Sequence, residues 1–257
     1  LKEKKYNWSY QSTPEKNLNN RILQHDRGKV IGGSSSINGM VYIRGHAEDF
    51  NGWDNQGCNG WGYEDVLPYF IKMESYTGGD SEFRGYNGPL KIRRPKPNDP
   101  ITLAFLDAGK EMGYPVTNDV NGFCQEGFGV FDSTIHKGNR FSSADAYLTP
   151  AQQRKNLTII TECHVKKIKF EGNTAIGVQF SDKKNNNIEA HSSKEVILSA
   201  GAIGSPQLLM LSGIGPGNHL NQLNITTIFD SPGVGSNLND HPDFVLKYKC
   251  KKPVSLW

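Results

Sequence analysis

The chain has 257 residues, enough for one large domain or two modest ones with a hydrophobic core. Hydrophobic residues make up 36% and charged residues 21%, a globular composition that excludes an intrinsically disordered chain. The formal net charge of +3 is small and dispersed, so we expect no nucleic-acid partner.

The four cysteines, Cys58, Cys124, Cys163 and Cys250, lie far apart and form no C-x-x-C pair. This spacing is typical of neither a disulfide framework nor a zinc site, so we expect buried free thiols and no bound metal. The sequence contains no continuous apolar run long enough to predict a transmembrane helix. Because the chain begins with leucine and stops without a capping or tail signal, we expect it to be part of a longer protein.

In chain order, residues 1–26 are polar and predict loop or extended structure. Residues 27–45 form a loop rich in glycine and serine that leads into an apolar stretch. Residues 62–75 predict a helix, because their apolar positions recur at helical spacing. Residues 76–100 are rich in glycine and proline and predict loop, with one short strand at residues 89–93.

The middle of the chain predicts two more helices. Residues 101–112 have an apolar side, and Gly113 is a suitable stop for that helix. Residues 142–148 predict a short helix capped by serine.

From residue 156 onwards the pattern changes to strands and turns. The predicted strands are residues 157–161, 165–170, 175–181, 188–191 and 195–199. The last of these, EVILS, is continuously apolar and predicts a buried parallel strand. The predicted fold class is therefore α/β, with an antiparallel strand group inserted before the last parallel strand.

The glycine–serine loop, residues 27–38, reads RGKVIGGSSSIN. Glycine permits close backbone approaches, and serines suit a helix N-terminus, where free backbone N–H groups attract a phosphate or a polarised carbonyl oxygen. Arg27 and Lys29 add positive charge beside it. An ordinary glycine turn before a helix would look the same, so these residues alone leave ligand binding open. A Walker loop is excluded, because no Gly-Lys-Ser/Thr follows at the required spacing.

A second segment, residues 199–215, reads SAGAIGSPQLLMLSGIG and predicts a sharp turn from a strand into a helix. We expect Ser205 to cap this helix and Pro206 to occupy its first position, where the missing N–H has no cost. Ligands of open α/β sheets bind beyond the carboxyl ends of parallel strands, where this turn would lie. Any βα unit could produce the same pattern.

Together the two segments, RGKVIGGSSSINGMVYIRGHAEDFNGW and GAIGSPQLLMLSGIG, resemble the two signature segments of the glucose–methanol–choline (GMC) oxidoreductases. These are FAD-dependent alcohol dehydrogenases and oxidases. Three further stretches resemble the choline-oxidising branch: GWGYEDVLPYF, DVNGFCQEGFGVFDSTIHKGNRFSSADAYL, and PGVGSNLNDHPDF with the later YKCKKPVSL. The resemblance runs along nearly the whole chain.

The resemblance implies an incomplete FAD/NAD(P)-binding domain of GMC type. Residues 1–235 would form part of that domain, with lid or loop insertions around residues 46–100, and residues 236–257 would begin the substrate-binding domain. The cofactor-binding residues that it implies are Gly32, Gly33, Ser34, Ser35, Asn38, Gly39, Met40, Val41, Val165, Ala200 and Gly201.

Ile37 departs from those family members that link FAD covalently through a histidine just before the loop asparagine. Isoleucine has no nucleophilic atom, so we expect FAD to be bound non-covalently.

Asp243 stands where choline-oxidising relatives have a glutamate that faces the trimethylammonium group of choline. A carboxylate attracts that cation without a hydrogen bond, so the resemblance implies Asp243 as a substrate-binding residue, with the shorter side chain placing choline itself in question. The neighbouring Asp240 and His241 do not indicate a catalytic triad, because no G-x-S-x-G elbow occurs and adjacent residues cannot easily adopt triad geometry.

The resemblance implies no catalytic residue within this chain. The family's glycine fingerprint, G-x-G-x-x-G, is absent and would precede residue 1, while the catalytic histidine would follow Trp257. The complete enzyme would oxidise an alcohol, choline by resemblance, through hydride transfer to flavin N5, and pass electrons to a quinone-type acceptor or to oxygen. Another alcohol dehydrogenase of the family, a lyase on the same scaffold and a non-catalytic flavin-fold protein are the alternatives. By family resemblance its location would be cytoplasmic, inner-membrane-associated or mitochondrial.

Overall fold

The computed structural model describes residues 4–78, 82–241 and 243–251. Their helices are α1 (Ala47–Asn55), α2 (Tyr63–Met73), α3 (Pro100–Glu111), α4 (Thr149–Ala151), α5 (Gly201–Leu211) and α6 (Gly217–Gln222). Their strands are β1 (Tyr10–Gln11), β2 (Gln24–His25), β3 (Val41–Tyr42), β4 (Glu74–Ser75), β5 (Leu90–Lys91), β6 (Asp132–Ser133), β7 (Ile135–His136), β8 (Asn139–Arg140), β9 (His164–Glu171), β10 (Thr174–Ser181), β11 (Asn187–His191), β12 (Ile214–Gly215) and β13 (Phe229–Asp230).

Contact density separates the described residues into two compact units. The first unit comprises the described residues up to Leu157 together with residues 248–251, and the second lies within Thr158–Lys247. The first unit contains short two-stranded pairings and α1–α4. The second contains the longest sheet and α5 and α6.

The helices of the first unit confirm the predictions for residues 62–75 and 101–112. α3 begins as its sequence requires, because the Asp99 side chain accepts the Thr102 N–H at 2.8 Å and Pro100 occupies the first turn. The predicted strand at residues 89–93 is confirmed in shortened form as β5, which pairs in parallel with β4.

The core of the first unit lies between these elements and the strand after the glycine–serine loop. Tyr42, Tyr76 and Ile92 are buried together, with Met73 and Leu90 packed against them. Tyr42 follows the loop directly in β3, so the loop is joined to a fixed part of the unit.

The second unit confirms the predicted antiparallel group as a three-stranded sheet in the order β11-β10-β9. Gly172 has φ +56° in the turn between β9 and β10, a conformation that glycine adopts without strain. α5 packs against β9, where the buried Ser212 hydroxyl accepts the Ile168 N–H at 2.8 Å and donates to the Leu208 carbonyl at 2.6 Å.

Two predicted strands are wrong. Residues 157–161 and 195–199 are not strands in the structure, and the second is not buried, since Ile197 is 79% exposed. A parallel strand needs a neighbouring backbone to satisfy its N–H and C=O groups. None of the described strands pairs with either segment.

The predicted start of the last long helix is also wrong. α5 begins at Gly201, so Pro206 lies inside the helix and Ser205 is not its cap. The Ser205 hydroxyl instead accepts the backbone N–H of Ala200 at 3.1 Å, which closes the turn from within the helix.

The expected burial of the cysteines is wrong as well. The four cysteines are free, with Cys163 partly buried and the others exposed. Among the described residues, no helix has the length and apolarity needed to cross a membrane.

Candidate functional site

The glycine–serine loop folds back on itself through its glycines. Gly32 and Gly33 have φ values of +86° and +55°, and a single 3₁₀ turn follows at Gly33–Ser36. Gly28 lies under this turn, where an added Cβ would be 2.2 Å from the Gly33 carbonyl oxygen. The close approach at residue 28 and the left-handed backbone at residue 32 both favour glycine.

The loop serines stabilise this turn rather than capping a longer helix, which corrects the prediction of a helix N-terminus. The Ser34 hydroxyl accepts the Gly28 N–H at 3.1 Å, and the Ser36 hydroxyl donates to the Ile31 carbonyl at 2.8 Å. The Ser35 hydroxyl donates to the Gly32 carbonyl at 2.5 Å. After the turn the chain leaves as β3.

A second segment, residues 139–145, holds the loop from more than 100 residues away. The Arg140 guanidinium donates to the Ser35 carbonyl at 3.1 Å and to Asn38 Oδ1 at 2.7 Å. The Ser143 backbone N–H donates to the Ser35 hydroxyl at 2.9 Å, and the Ser143 hydroxyl donates to the Gly32 carbonyl at 3.1 Å. Sequence reasoning missed both residues, although NRFSSADAYL was part of the family resemblance.

The prediction of a serine-capped helix at residues 142–148 is confirmed in a modified form. Ser142 and Asp145 cap each other, since the Asp145 N–H donates to the Ser142 hydroxyl at 3.3 Å and the Ser142 N–H donates to Asp145 Oδ2 at 2.8 Å. The pKa of Asp145 is lowered first by the Ser142 hydroxyl, which donates to Asp145 Oδ2 at 2.6 Å, and then by the Ser142 N–H. The segment is a π-helical turn at Ala144–Leu148 that continues into α4. This cap places Ser143 against the loop.

The end of the loop is fixed at Met40, which has φ +63°, an uncommon conformation for a residue with a side chain. Its N–H donates to Asn38 Oδ1 at 3.0 Å, and its carbonyl accepts the Thr134 N–H at 2.9 Å. Val41 then pairs with Ser133 in the β3–β6 ladder. Hydrogen bonds on both sides therefore hold a strained backbone.

The loop offers an open face to a ligand. Added Cβ atoms at Gly33 and Gly39 would meet nothing within 4 Å, so the space above both residues is free. Val41 and Ile43 are 49% and 52% exposed and provide apolar surface beside the polar loop. Open backbone with a few polar groups and apolar flanks is a surface against which a ligand can lie.

A buried ionic network lies behind this surface, and sequence reasoning did not find it. Arg84 donates to Glu74 at 2.7 Å and to Asp132 at 2.9 Å, with all three side chains fully buried. Arg94 also pairs with Asp132, at 2.8 Å. Asp132 belongs to β6, the partner of β3, so the network supports the strand that carries the end of the loop.

Asp119 and Asn121 complete the network. Burial would raise the pKa of Asp119, but the hydrogen bonds from Asn121 and Arg84 outweigh it and lower the pKa. The Asn121 side chain donates to the Tyr42 carbonyl at 3.2 Å and accepts the Arg44 N–H at 2.8 Å. Burial raises the pKa of Tyr42 to about 12.

The remaining expected site residues belong to the second unit. Val165 is a half-exposed residue of β9 opposite Phe180 of β10. Ala200 and Gly201 are exposed at the start of α5, where an added Cβ at Gly201 would meet nothing within 4 Å. Asp243 is exposed in an irregular segment. The structure therefore places Gly32–Val41 in one continuous stretch of the first unit, from the loop to the start of β3, and the other four expected residues in the second unit.

Metal-binding chemistry has no candidate in the described part of the chain. No group of three or more His, Cys, Asp or Glu side chains within residues 4–78, 82–241 and 243–251 could hold a metal ion.

Curated relatives match almost the whole chain. It is 51% identical over 255 residues to "Oxygen-dependent choline dehydrogenase" of Rhizobium etli (strain CIAT 652), covering 99% of this chain and 46% of the relative. It is 49% identical over 256 residues to "Choline dehydrogenase, mitochondrial" of Homo sapiens, covering 100% of this chain and 43% of the relative. The chain thus spans less than half the length of these relatives.

Solved structures share the fold. Pyridoxine 4-oxidase from Mesorbium loti superposes with a TM-score of 0.82 at 36% identity, covering 88% of this chain and 45% of that one. An FAD-dependent oxidoreductase from Chaetomium thermophilum gives a TM-score of 0.82 at 35% identity, covering 89% and 42%. These likenesses confirm the predicted fold class.

The family model described as GMC oxidoreductase matches residues 10–243. This range includes the glycine–serine loop, the segment at residues 139–145 that holds it, and all expected site residues. The chain belongs to the GMC oxidoreductase family.

Proposed function

We propose that this chain is part of an FAD-dependent oxidoreductase acting on CH–OH groups, with choline as substrate. The observation that carries the proposal is the glycine–serine loop, whose backbone is clamped from two sides while Gly33 and Gly39 face open space. A loop held in this way in a GMC oxidoreductase is suited to lie against a cofactor. The names of the relatives at 51% and 49% identity support choline.

FAD would supply the hydride acceptor in the complete enzyme. The residues of this chain would hold the cofactor: Gly32, Gly33, Ser34, Ser35, Asn38, Gly39, Met40 and Val41 from the loop, and Val165, Ala200 and Gly201 from the second unit. Their part in the reaction is to bind and orient. We place no catalytic residue among them.

FAD would be bound non-covalently, because the residue before Asn38 is Ile37, whose side chain offers no atom for a covalent link. Acid precipitation of the purified full-length protein tests whether the protein binds FAD and whether the binding is non-covalent. We expect a flavin spectrum before precipitation and all flavin in the supernatant afterwards. Flavin in the pellet would contradict non-covalent binding. If the protein contains no FAD after purification and takes up none on titration, the proposal itself is contradicted.

Asp243 would attract the trimethylammonium group of choline through its charge. Asp243→Asn removes the charge and keeps the size, and 3,3-dimethylbutan-1-ol is the uncharged counterpart of choline. We expect the kcat/KM of the variant for choline to fall about tenfold, which corresponds to about 1.4 kcal/mol of lost transition-state stabilisation. The kcat/KM for the neutral alcohol should stay unchanged. Equal losses for both alcohols would show that the Asp243 charge does not recognise the cation.

A different alcohol is the second candidate, supported by the solved neighbours. Pyridoxine 4-oxidase has a TM-score of 0.82 with this chain, and its name gives pyridoxine, a different alcohol, as substrate. Turnover of pyridoxine or of simple alkanols in preference to choline would favour it.

The expected domain division, residues 1–235 and 236–257, and the quinone-type electron acceptor remain part of the proposal. Oxygen is the rival acceptor, since the Rhizobium etli relative is named oxygen-dependent. The human relative is named mitochondrial, which supports that location among the three expected from the family.

A further inference from the structure

We infer that Arg140 is a positioning residue, which fixes the side-chain amide of Asn38 with its NH₂ group turned towards the bound flavin. The inference rests on the proposed function, because it takes the glycine–serine loop as the flavin-binding surface. It adds a residue outside that loop, and it assigns the direction of one hydrogen-bond donor.

The orientation of the Asn38 amide follows from its two neighbours. Asn38 Oδ1 accepts the Met40 backbone N–H at 3.0 Å and Arg140 Nη1 at 2.7 Å. Both neighbours are donors that have no acceptor capacity, so only the amide oxygen can face them. An amide group drawn the other way round would place donors against donors.

The Asn38 NH₂ group is consequently left for another partner. Two lone pairs on Oδ1 are occupied, and across residues 4–78, 82–241 and 243–251 no acceptor is within hydrogen-bond distance of Nδ2. Asn38 is exposed, and the neighbouring Gly39 has no atom within 4 Å of an added Cβ. A fixed, unused donor there is available to an acceptor atom of a ligand.

Arg140 is itself fixed by the β7–β8 hairpin. Arg140 pairs with Ile135 in that hairpin, and the Phe141 N–H donates to the Thr134 carbonyl at 2.9 Å. Thr134 in turn donates its N–H to the Met40 carbonyl at 2.9 Å. One hairpin therefore holds the Asn38 amide and the backbone that follows it.

A general electrostatic effect of Arg140 on the flavin predicts a different outcome from positioning. Positive charge would act on the flavin whether or not Asn38 were present, whereas positioning of the amide acts through Asn38. The second contact of Arg140, from its guanidinium to the Ser35 carbonyl at 3.1 Å, holds the loop backbone and does not depend on Asn38. Lys137, in the turn of the same hairpin, provides the matched control, since Lys137→Gln removes a charge without touching Asn38.

The test measures the FAD dissociation constant of the full-length apoprotein by flavin fluorescence titration. We expect Arg140→Ala and Asn38→Ala each to weaken FAD binding about tenfold, as the loss of one well-placed hydrogen bond allows. The losses should be less than additive in the double variant, because most of the effect of Arg140 passes through Asn38 and only its contact with the Ser35 carbonyl is independent of that residue, and Lys137→Gln should bind as the wild type does. A purely structural role of Arg140 would instead give fully additive losses.

Asn38→Asp tests the inference without disturbing Arg140. Aspartate keeps the oxygen that accepts from Met40 and Arg140 but lacks the NH₂ group, so it should bind FAD as weakly as Asn38→Ala. Wild-type affinity of Asn38→Asp, unchanged affinity of Arg140→Ala, or additive losses in the double variant would each overturn the inference while the proposed function stands. A wild-type protein that does not bind FAD would contradict the proposed function, and the inference with it.

Discussion

Gly28 shows how a single missing side chain shapes the candidate site. An added Cβ would lie 2.2 Å from the Gly33 carbonyl oxygen and 2.7 Å from the Ser34 nitrogen, both backbone atoms that cannot turn aside. Gly39, eleven residues further along the chain, has no atom within 4 Å of its added Cβ. The first glycine is required by the loop itself, and the second leaves room for a ligand.

Gly28→Ala should therefore destabilise the apoprotein by at least about 2 kcal/mol, because an overpacked site must shift its backbone. Gly39→Ala should leave the stability of the apoprotein within about 0.5 kcal/mol of wild type and weaken FAD binding instead. Urea unfolding of the apoprotein and FAD titration measure the two effects. If both variants changed stability and FAD affinity by the same amounts, Gly28 and Gly39 would not have the separate roles in folding and in cofactor binding described above.

The residues of the loop could be predicted from sequence, but the residues that hold it could not. Glycine and serine letters in one short run indicate a tight turn, and the family resemblance assigned them to FAD. Arg140 and Ser143 are more than 100 residues away in sequence, and no local sequence pattern shows that they contact the loop. The charges of Glu74, Arg84 and Asp132 likewise become one buried network only after folding.

Elements with their own local signals were predicted well. α2 and α3 have apolar residues at helical spacing, and α3 has a capping aspartate followed by proline. The antiparallel strands β9–β11 pair with their neighbours in sequence. The strand-like segments and the turns between them were therefore sufficient to predict this sheet. Residues 157–161 and 195–199 have strand-like composition, but a strand also needs a neighbouring strand to pair with, and composition does not show whether one is present.

The contact between α5 and β9 gives a prediction about how a helix is held against a strand. Ser212→Ala would leave the buried Ile168 N–H without an acceptor, and an unsatisfied buried donor costs about 1–3 kcal/mol. We expect that loss in urea unfolding of the full-length apoprotein. Ser236→Ala, whose hydroxyl is exposed and donates to a neighbouring carbonyl, should change stability by less than about 0.5 kcal/mol. Equal stability of the two variants would mean that Ser212 does not join the helix to the sheet.

On the scale of the whole molecule, the chain covers 46% and 43% of two choline dehydrogenases while matching them along nearly all of its own length. The apolar residues Ile160 and Ile197, on the two segments that were expected to be strands, are exposed. The fold and the family follow from this half. The proposed activity is that of the full-length protein, and the part that we propose for this chain is to hold the cofactor.

Anaerobic addition of choline to the full-length protein loaded with FAD tests the central claim most directly. We expect the absorbance of oxidised flavin to disappear as the alcohol is oxidised, and betaine aldehyde to form in equal amount. Bound flavin that stays oxidised with choline and with every other alcohol tried would contradict an alcohol-oxidising function.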